Sequence, residues 1–144
     1  MKEIQFPIEI SATKEKVWNT LWQDETFRDW SGIIDPGTHI VGELKEGNEV
    51  QFLTTEGGFG VTSLVEKLTP NEFLQLAHQA DTQNDGKEER EKEWTGGKES
   101  YTLTETNGVT TLVVAYDIPP SQEEYFQKNF PKALARVKEL AESK

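Results

Sequence analysis

An apolar stripe near the C-terminus leaves this chain few ways to fold. Phe126, Phe130, Ala133, Leu134, Val137, Leu140 and Ala141 recur at three- and four-residue steps across residues 119–144. On a helix they share one face, with lysines and glutamates on the other. Pro119 and Pro120 end whatever precedes this stretch. Ser121 lies three residues before Glu124, the spacing of a reciprocal cap in which each side chain satisfies a free backbone N–H. Pro131 lacks an N–H and is expected to kink the helix or restart it. No other long helical pattern occurs. A stripe this wide must be buried, and most of the preceding chain reads as strand. A long helix lying across a sheet is therefore expected.

The strands follow from alternation. Ile4, Phe6, Ile8 and Ile10 alternate with polar residues and Pro7, which points to an edge strand or a bulge. Ser11 or Thr13 can cap a helix carrying Val17, Trp18, Leu21 and Trp22. Asp24 can cap a second short helix with Phe27 and Trp30 on one side. The turn Asp35-Pro36-Gly37 then opens a run of antiparallel strands at 39–44, 49–55, 59–68 and 73–79, joined by short turns that include Gly57-Gly58. Residues 80–97 are polar and suggest a charged hairpin extension or a mobile loop. Within it, 87–93 is expected to be solvated, and Trp94 either tucks into the body or covers an opening. Asn107-Gly108 is a favoured two-residue hairpin turn. It sets Glu99 opposite Tyr116, Tyr101 opposite Val114 and Leu103 opposite Leu112. Tyr101, Leu103, Leu112, Val114, Tyr116 and Ile118 then share the face that should meet the long helix.

Composition excludes several classes of function. The chain has 144 residues, which fits one domain spanning 1–144. There is no cysteine, which removes disulfides, thiol chemistry and zinc–thiolate sites. The formal charge of −11 argues against nucleic acid and against anionic membrane surfaces. Neither a signal-type apolar run nor a membrane-length stretch is seen, so a cytoplasmic protein is expected. His39 and His78 are the only histidines, without the spacing of a metal site, and no cofactor motif occurs. Gly57-Gly58-Phe59-Gly60 joins strand to strand and reads as a turn, because a phosphate cradle needs a helix start there.

The order strand, two short helices, antiparallel strands and long helix resembles the SRPBCC superfamily, also called START-like or birch-pollen-allergen-like. The match is carried by Ser11-Ala12-Thr13-Lys14-Glu15-Lys16-Val17-Trp18, Phe27-Arg28-Asp29-Trp30, Gly42-Glu43-Leu44-Lys45-Glu46-Gly47, Glu99-Ser100-Tyr101-Thr102-Leu103 and the final helix. Within it the chain is most similar to the group related to the C-terminal domain of the Hsp90 ATPase activator. The resemblance implies an α+β helix-grip fold. A curved antiparallel sheet of about seven strands wraps the long helix, with two short helices between the first two strands. It also implies an apolar cavity for small hydrophobic ligands, and fixes no reaction.

The candidate lining of such a cavity is Trp30, Phe52, Phe59, His78, Tyr101, Tyr116, Phe130 and Leu134. The aromatics lie on or beside inward faces, and rings otherwise fill cores. Tyr101 and Tyr116 would supply hydroxyls, and Arg28 a charge at the mouth. His78 shares strand parity with Leu74 and Leu76 and is the one visible acid–base candidate, and no catalytic residue is assigned. Three functions follow. The first is non-enzymatic binding of a lipid-like or aromatic ligand. The second, from the resemblance, is an interaction module for a chaperone or another protein. The third is a cyclase-like or hydrolase-like enzyme using the same cavity.

Overall fold

A computed structural model describes residues 1–55 and 58–143. The chain runs β1 (Lys2–Ile10), α1 (Lys14–Trp22), α2 (Asp24–Ser31), β2 (His39–Val41), β3 (Glu49–Leu53), β4 (Gly60–Thr69), β5 (Phe73–Gln83), β6 (Glu88–Glu89), β7 (Lys98–Thr106), β8 (Val109–Ile118) and α3 (Glu123–Glu142). Eight strands form one sheet in the order β1-β8-β7-β5-β4-β3-β2, with the short β6 paired to β5. All pairings are antiparallel. The fold is the α+β helix-grip, with α1 and α2 between the first two strands. β1 pairs with β8 and forms one edge of the sheet, where Pro7 costs no ladder bond on the open side.

Local patterning explains most elements. Thr13 caps α1, its hydroxyl accepting from the Lys16 N–H. The β7–β8 hairpin has the expected register, with Leu103 opposite Leu112 and Glu99 opposite Tyr116. Asn107 and Gly108 take positive φ in its turn, which the two-residue hairpin requires. α3 buries Phe126, Phe130, Ala133, Leu134, Val137 and Ala141 against the sheet. The Phe130 ring lies 4.8 Å from that of Phe6 and 5.3 Å from that of Tyr116.

Several local expectations are corrected. α3 runs through Pro131 as one α-helix and does not restart there; the proline is exposed, and Phe130, Ala133 and Leu134 around it are buried. The Ser121–Glu124 cap does not form. Ser121 lies in a 3₁₀ turn (Pro120–Gln122), and its hydroxyl donates to Glu93 instead. Asp24 sits inside the first turn of α2 and pairs with Arg28, and Gln23 occupies the cap position. β2 stops at Val41 because Gly42 takes φ +108°. β5 continues to Gln83, turns through Asn84, Asp85 and Gly86 at positive φ, and returns as β6. The charged stretch is thus a hairpin extension. The Gly57-Gly58 turn lies partly outside the described residues. Among the described residues, no helix is long and apolar enough to cross a membrane.

Candidate ligand-binding cavity

Strand parity builds the inner end of a cavity. On β7, Glu99, Tyr101 and Leu103 are buried, while Thr102 and Thr104 face out. On β5, Leu74, Leu76 and His78 are the buried alternates. Gln79 has no partner on β4, so a bulge follows His78 and ends the alternation there. His78 pairs with Ser63 across the β4–β5 ladder, and its backbone also bonds Gly96 and Gly97. α2 contributes Phe27 and Trp30, both buried, with the Trp30 indole N–H donating to the Leu21 carbonyl at 3.1 Å. α3 contributes Phe126 and Phe130.

These elements enclose a cavity of about 450 Å³. Phe27, Trp30, Ile34, Phe52, Phe59, Val61, Trp94, Tyr116, Phe126 and Phe130 supply its apolar walls. Its polar atoms fall into two groups. Asp35, Thr38, Thr54, Arg90, Glu93 and Gln122 stand toward the rim, and His78, Glu99, Tyr101 and Tyr116 at the deep end.

The deep group is a buried network. The Tyr101 hydroxyl donates to Glu99 Oε2 at 2.9 Å and lies 3.5 Å from the Tyr116 hydroxyl. Ser63 Oγ is 2.7 Å from His78 Nδ1. His78 Nε2 is 3.6 Å from Glu99 Oε1, too far for a hydrogen bond, and has no partner. His78 and Glu99 are 6% and 4% exposed. Burial, and then the Glu99 carboxylate, push both tyrosine phenols well above their ordinary range. Both therefore stay protonated at neutral pH and can donate.

At the rim, loss of hydration and then the nearby Glu93 hold the Asp35 carboxyl above the usual range. Glu93 also accepts from Ser121 and Gln122, which ties the start of α3 to the charged segment. Arg90 lies 5.3 Å over the Phe59 ring and bonds the Thr82 carbonyl. Trp94 both tucks in and covers. Its ring is 5.0 Å from Phe126 and 6.1 Å from Tyr116, and it forms one wall.

Of the residues singled out in the sequence, Trp30, Phe52, Phe59, His78, Tyr101, Tyr116 and Phe130 line this one cavity. Leu134 does not. It lies one turn beyond Phe130 on α3 and is packed in the core. Arg28 is exposed and paired with Asp24, away from the mouth, where Arg90 takes its place. Sequence reading missed Glu99 and Phe27, left Trp94 undecided, and put Phe126 on an inward face without assigning it to the lining. Glu99 shares parity with Tyr101, a signal that pointed inward without saying what it would meet. Among the described residues, no group of three or more His, Cys, Asp or Glu is arranged to hold a metal ion.

The family model for Activator of Hsp90 ATPase homolog 1-like proteins matches residues 11–142. The chain belongs to this family. Membership agrees with the SRPBCC resemblance, and the activator-like fold recurs in solved structures. The Aha1 dimer from Colwellia psychrerythraea is 22% identical with a TM-score of 0.71, the alignment covering 99% of this chain and 97% of that one. Protein MLL2253 from Mesorhizobium loti is 18% identical with a TM-score of 0.72, covering 96% of each chain. Protein CV1439 from Chromobacterium violaceum is 16% identical with a TM-score of 0.73, covering 99% and 98%. At these identities the three proteins share a fold with this chain. No curated protein matches its sequence.

Proposed function

We propose that this activator-like protein binds a small, largely apolar, ring-containing molecule in the cavity between the sheet and α3, without transforming it. One observation carries the reading. About 450 Å³ stays open between α2, α3 and the sheet, walled largely by aromatic rings from all three. That volume falls within the range of about 300–1,000 Å³ usual for ligand pockets, and an apolar wall with a few placed polar groups is their usual chemistry. Burial of the ligand's apolar surface would drive binding at about 25 cal/mol per Å² before the costs of association.

A thermal-shift screen of fatty acids, sterols, flavonoids and polyketide-like aromatics tests this directly. Trp30 and Trp94 line the cavity, so their fluorescence gives a second readout. Hits should raise the melting temperature and change tryptophan emission together. A screen with neither response would remove the proposal.

Family membership favours a second reading, in which the protein engages a chaperone of the Hsp90 type. Its test is separate: addition of the protein should stimulate the chaperone's ATPase, and Trp94→Ala within the cavity should leave that stimulation intact if the cavity is not involved.

A further inference from the structure

We infer that the deep end of the cavity takes a neutral hydroxyl group of the ligand, held between His78 Nε2 and Glu99 Oε1. The inference rests on the cavity-binding reading and adds the chemistry of the group that enters first.

The starting point is an unpartnered atom. His78 is 6% exposed, and its Nε2 has no hydrogen-bond partner. Buried polar atoms are normally satisfied, and one left over in a cavity wall points to something that arrives from outside. The tautomer follows from the neighbours. Nε2 faces Glu99 Oε1 at 3.6 Å. A bare nitrogen lone pair there would repel the carboxylate oxygen, whereas an N–H is attracted. Nε2 therefore carries a proton, and Nδ1 accepts from the Ser63 hydroxyl at 2.7 Å.

Glu99 supplies the acceptor. Its Oε2 accepts from Tyr101 at 2.9 Å, and its Oε1 faces His78 Nε2 at 3.6 Å. The Tyr116 hydroxyl lies beside the same carboxylate. This pair of atoms thus offers one donor and one acceptor, 3.6 Å apart, with the Tyr116 hydroxyl beside them. That separation is short enough for a single oxygen atom to reach both at ordinary hydrogen-bond length.

Ligand groups can be sorted by this pair. A carboxylate would meet the Glu99 charge. A ketone accepts from His78 and gives Glu99 no hydrogen bond. An ammonium donates to Glu99 and turns another positive hydrogen toward the His78 N–H. A hydroxyl accepts from one and donates to the other. The rings of Trp94, Tyr116, Phe126 and Phe130 sit beside this end of the cavity and fit a hydroxyl carried on an aromatic or polycyclic frame.

The probes are naphthalene, 2-naphthol, 2-tetralone and 2-naphthylmethylammonium, with affinities measured by calorimetry at pH 7. 2-Naphthol should bind about tenfold tighter than naphthalene and tighter than the ketone or the ammonium. Glu99→Gln should reverse the order of naphthol and tetralone. The amide oxygen takes the Tyr101 hydroxyl and its NH₂ then faces the ligand, leaving two donors. His78→Leu should reduce the naphthol-to-naphthalene ratio to about two or less. Equal binding of naphthol and naphthalene to the wild type overturns the inference and leaves the cavity reading standing. Tighter binding of the ammonium than of naphthol also overturns it, because the site would then read charge. Absence of binding by all four probes removes both.

Discussion

Asp81 gives the charged segment its order. Its side chain is fully buried, and its carboxylate accepts the backbone N–H of Glu93, Trp94 and Thr95, each at 2.9 Å, and the Thr95 hydroxyl at 2.7 Å. Burial pushes this carboxyl up, but the Glu93 N–H, the Thr95 hydroxyl and the remaining N–H donors together outweigh it, and the group titrates below its ordinary range. A depressed folded value adds stability above the unfolded carboxyl's pKa, about 3.9, and loses it as pH falls through the folded value. Asp81→Asn should cost about 1.5–3 kcal/mol in urea unfolding at pH 7. The gap between variant and wild type should close as the pH is taken below about 4. The same bonds revise the expectation that 87–93 is uniformly solvated. Glu88, Glu89, Glu91 and Lys92 are exposed, whereas Arg90 and Glu93 are half-buried. Hydrogen exchange should be fast at Glu91 and Lys92 and slow at Glu93, Trp94 and Thr95. Uniformly fast exchange would show that Asp81 does not hold the segment.

α3 carries two expectations of opposite sign. Leu134 is 2% exposed and belongs to the central cluster, so Leu134→Ala should destabilise by about 2–5 kcal/mol. Because Leu134 lies outside the cavity, this loss should come with little change in ligand affinity per folded molecule. Pro131 stands inside the same helix, exposed, without an N–H for the carbonyl one turn back. Restoring that N–H with Pro131→Ala should stabilise by about 1–2 kcal/mol, after the larger unfolded-state entropy of alanine is set against it. A thermal melt would read this as a rise of several degrees. An unchanged or lower melting temperature would mean that the proline shapes the packing of Phe130 beside it.

For the molecule as a whole, the large negative charge and the apolar cavity act on different observables. The charge is spread over exposed side chains, and its influence on a neutral ligand is screened within roughly 8 Å at physiological salt. Affinity for a hit should therefore change little between low and high salt. Ligand binding should also stabilise the fold by about 2.7 kcal/mol at a hundredfold excess over Kd, because only the folded chain has the cavity. Strong salt dependence would instead indicate that the acidic rim, Asp35 and Glu93, recognises a charged partner.

The fold was legible wherever a rule of short range applied. Alternation along β7 and β8 and the Asn107-Gly108 turn set the hairpin register, because a two-residue turn admits one pairing. The three- and four-residue spacing on α3 named the buried side of the helix, since a stripe of that width has nowhere else to go. Inward parity also brought Tyr101, Tyr116 and His78 to the right face. The site needed more than parity. His78 and Glu99 sit on different strands, and a bulge at Gln79 separates His78 from the buried Asp81 that orders the far wall. Leu134 and Phe130 are both apolar and both on the buried stripe, yet one fills the core and the other borders empty space. Periodicity says which side of an element is buried. Whether side chains from distant elements meet there or leave a gap depends on sheet curvature and bulges, and only the assembled chain decides those.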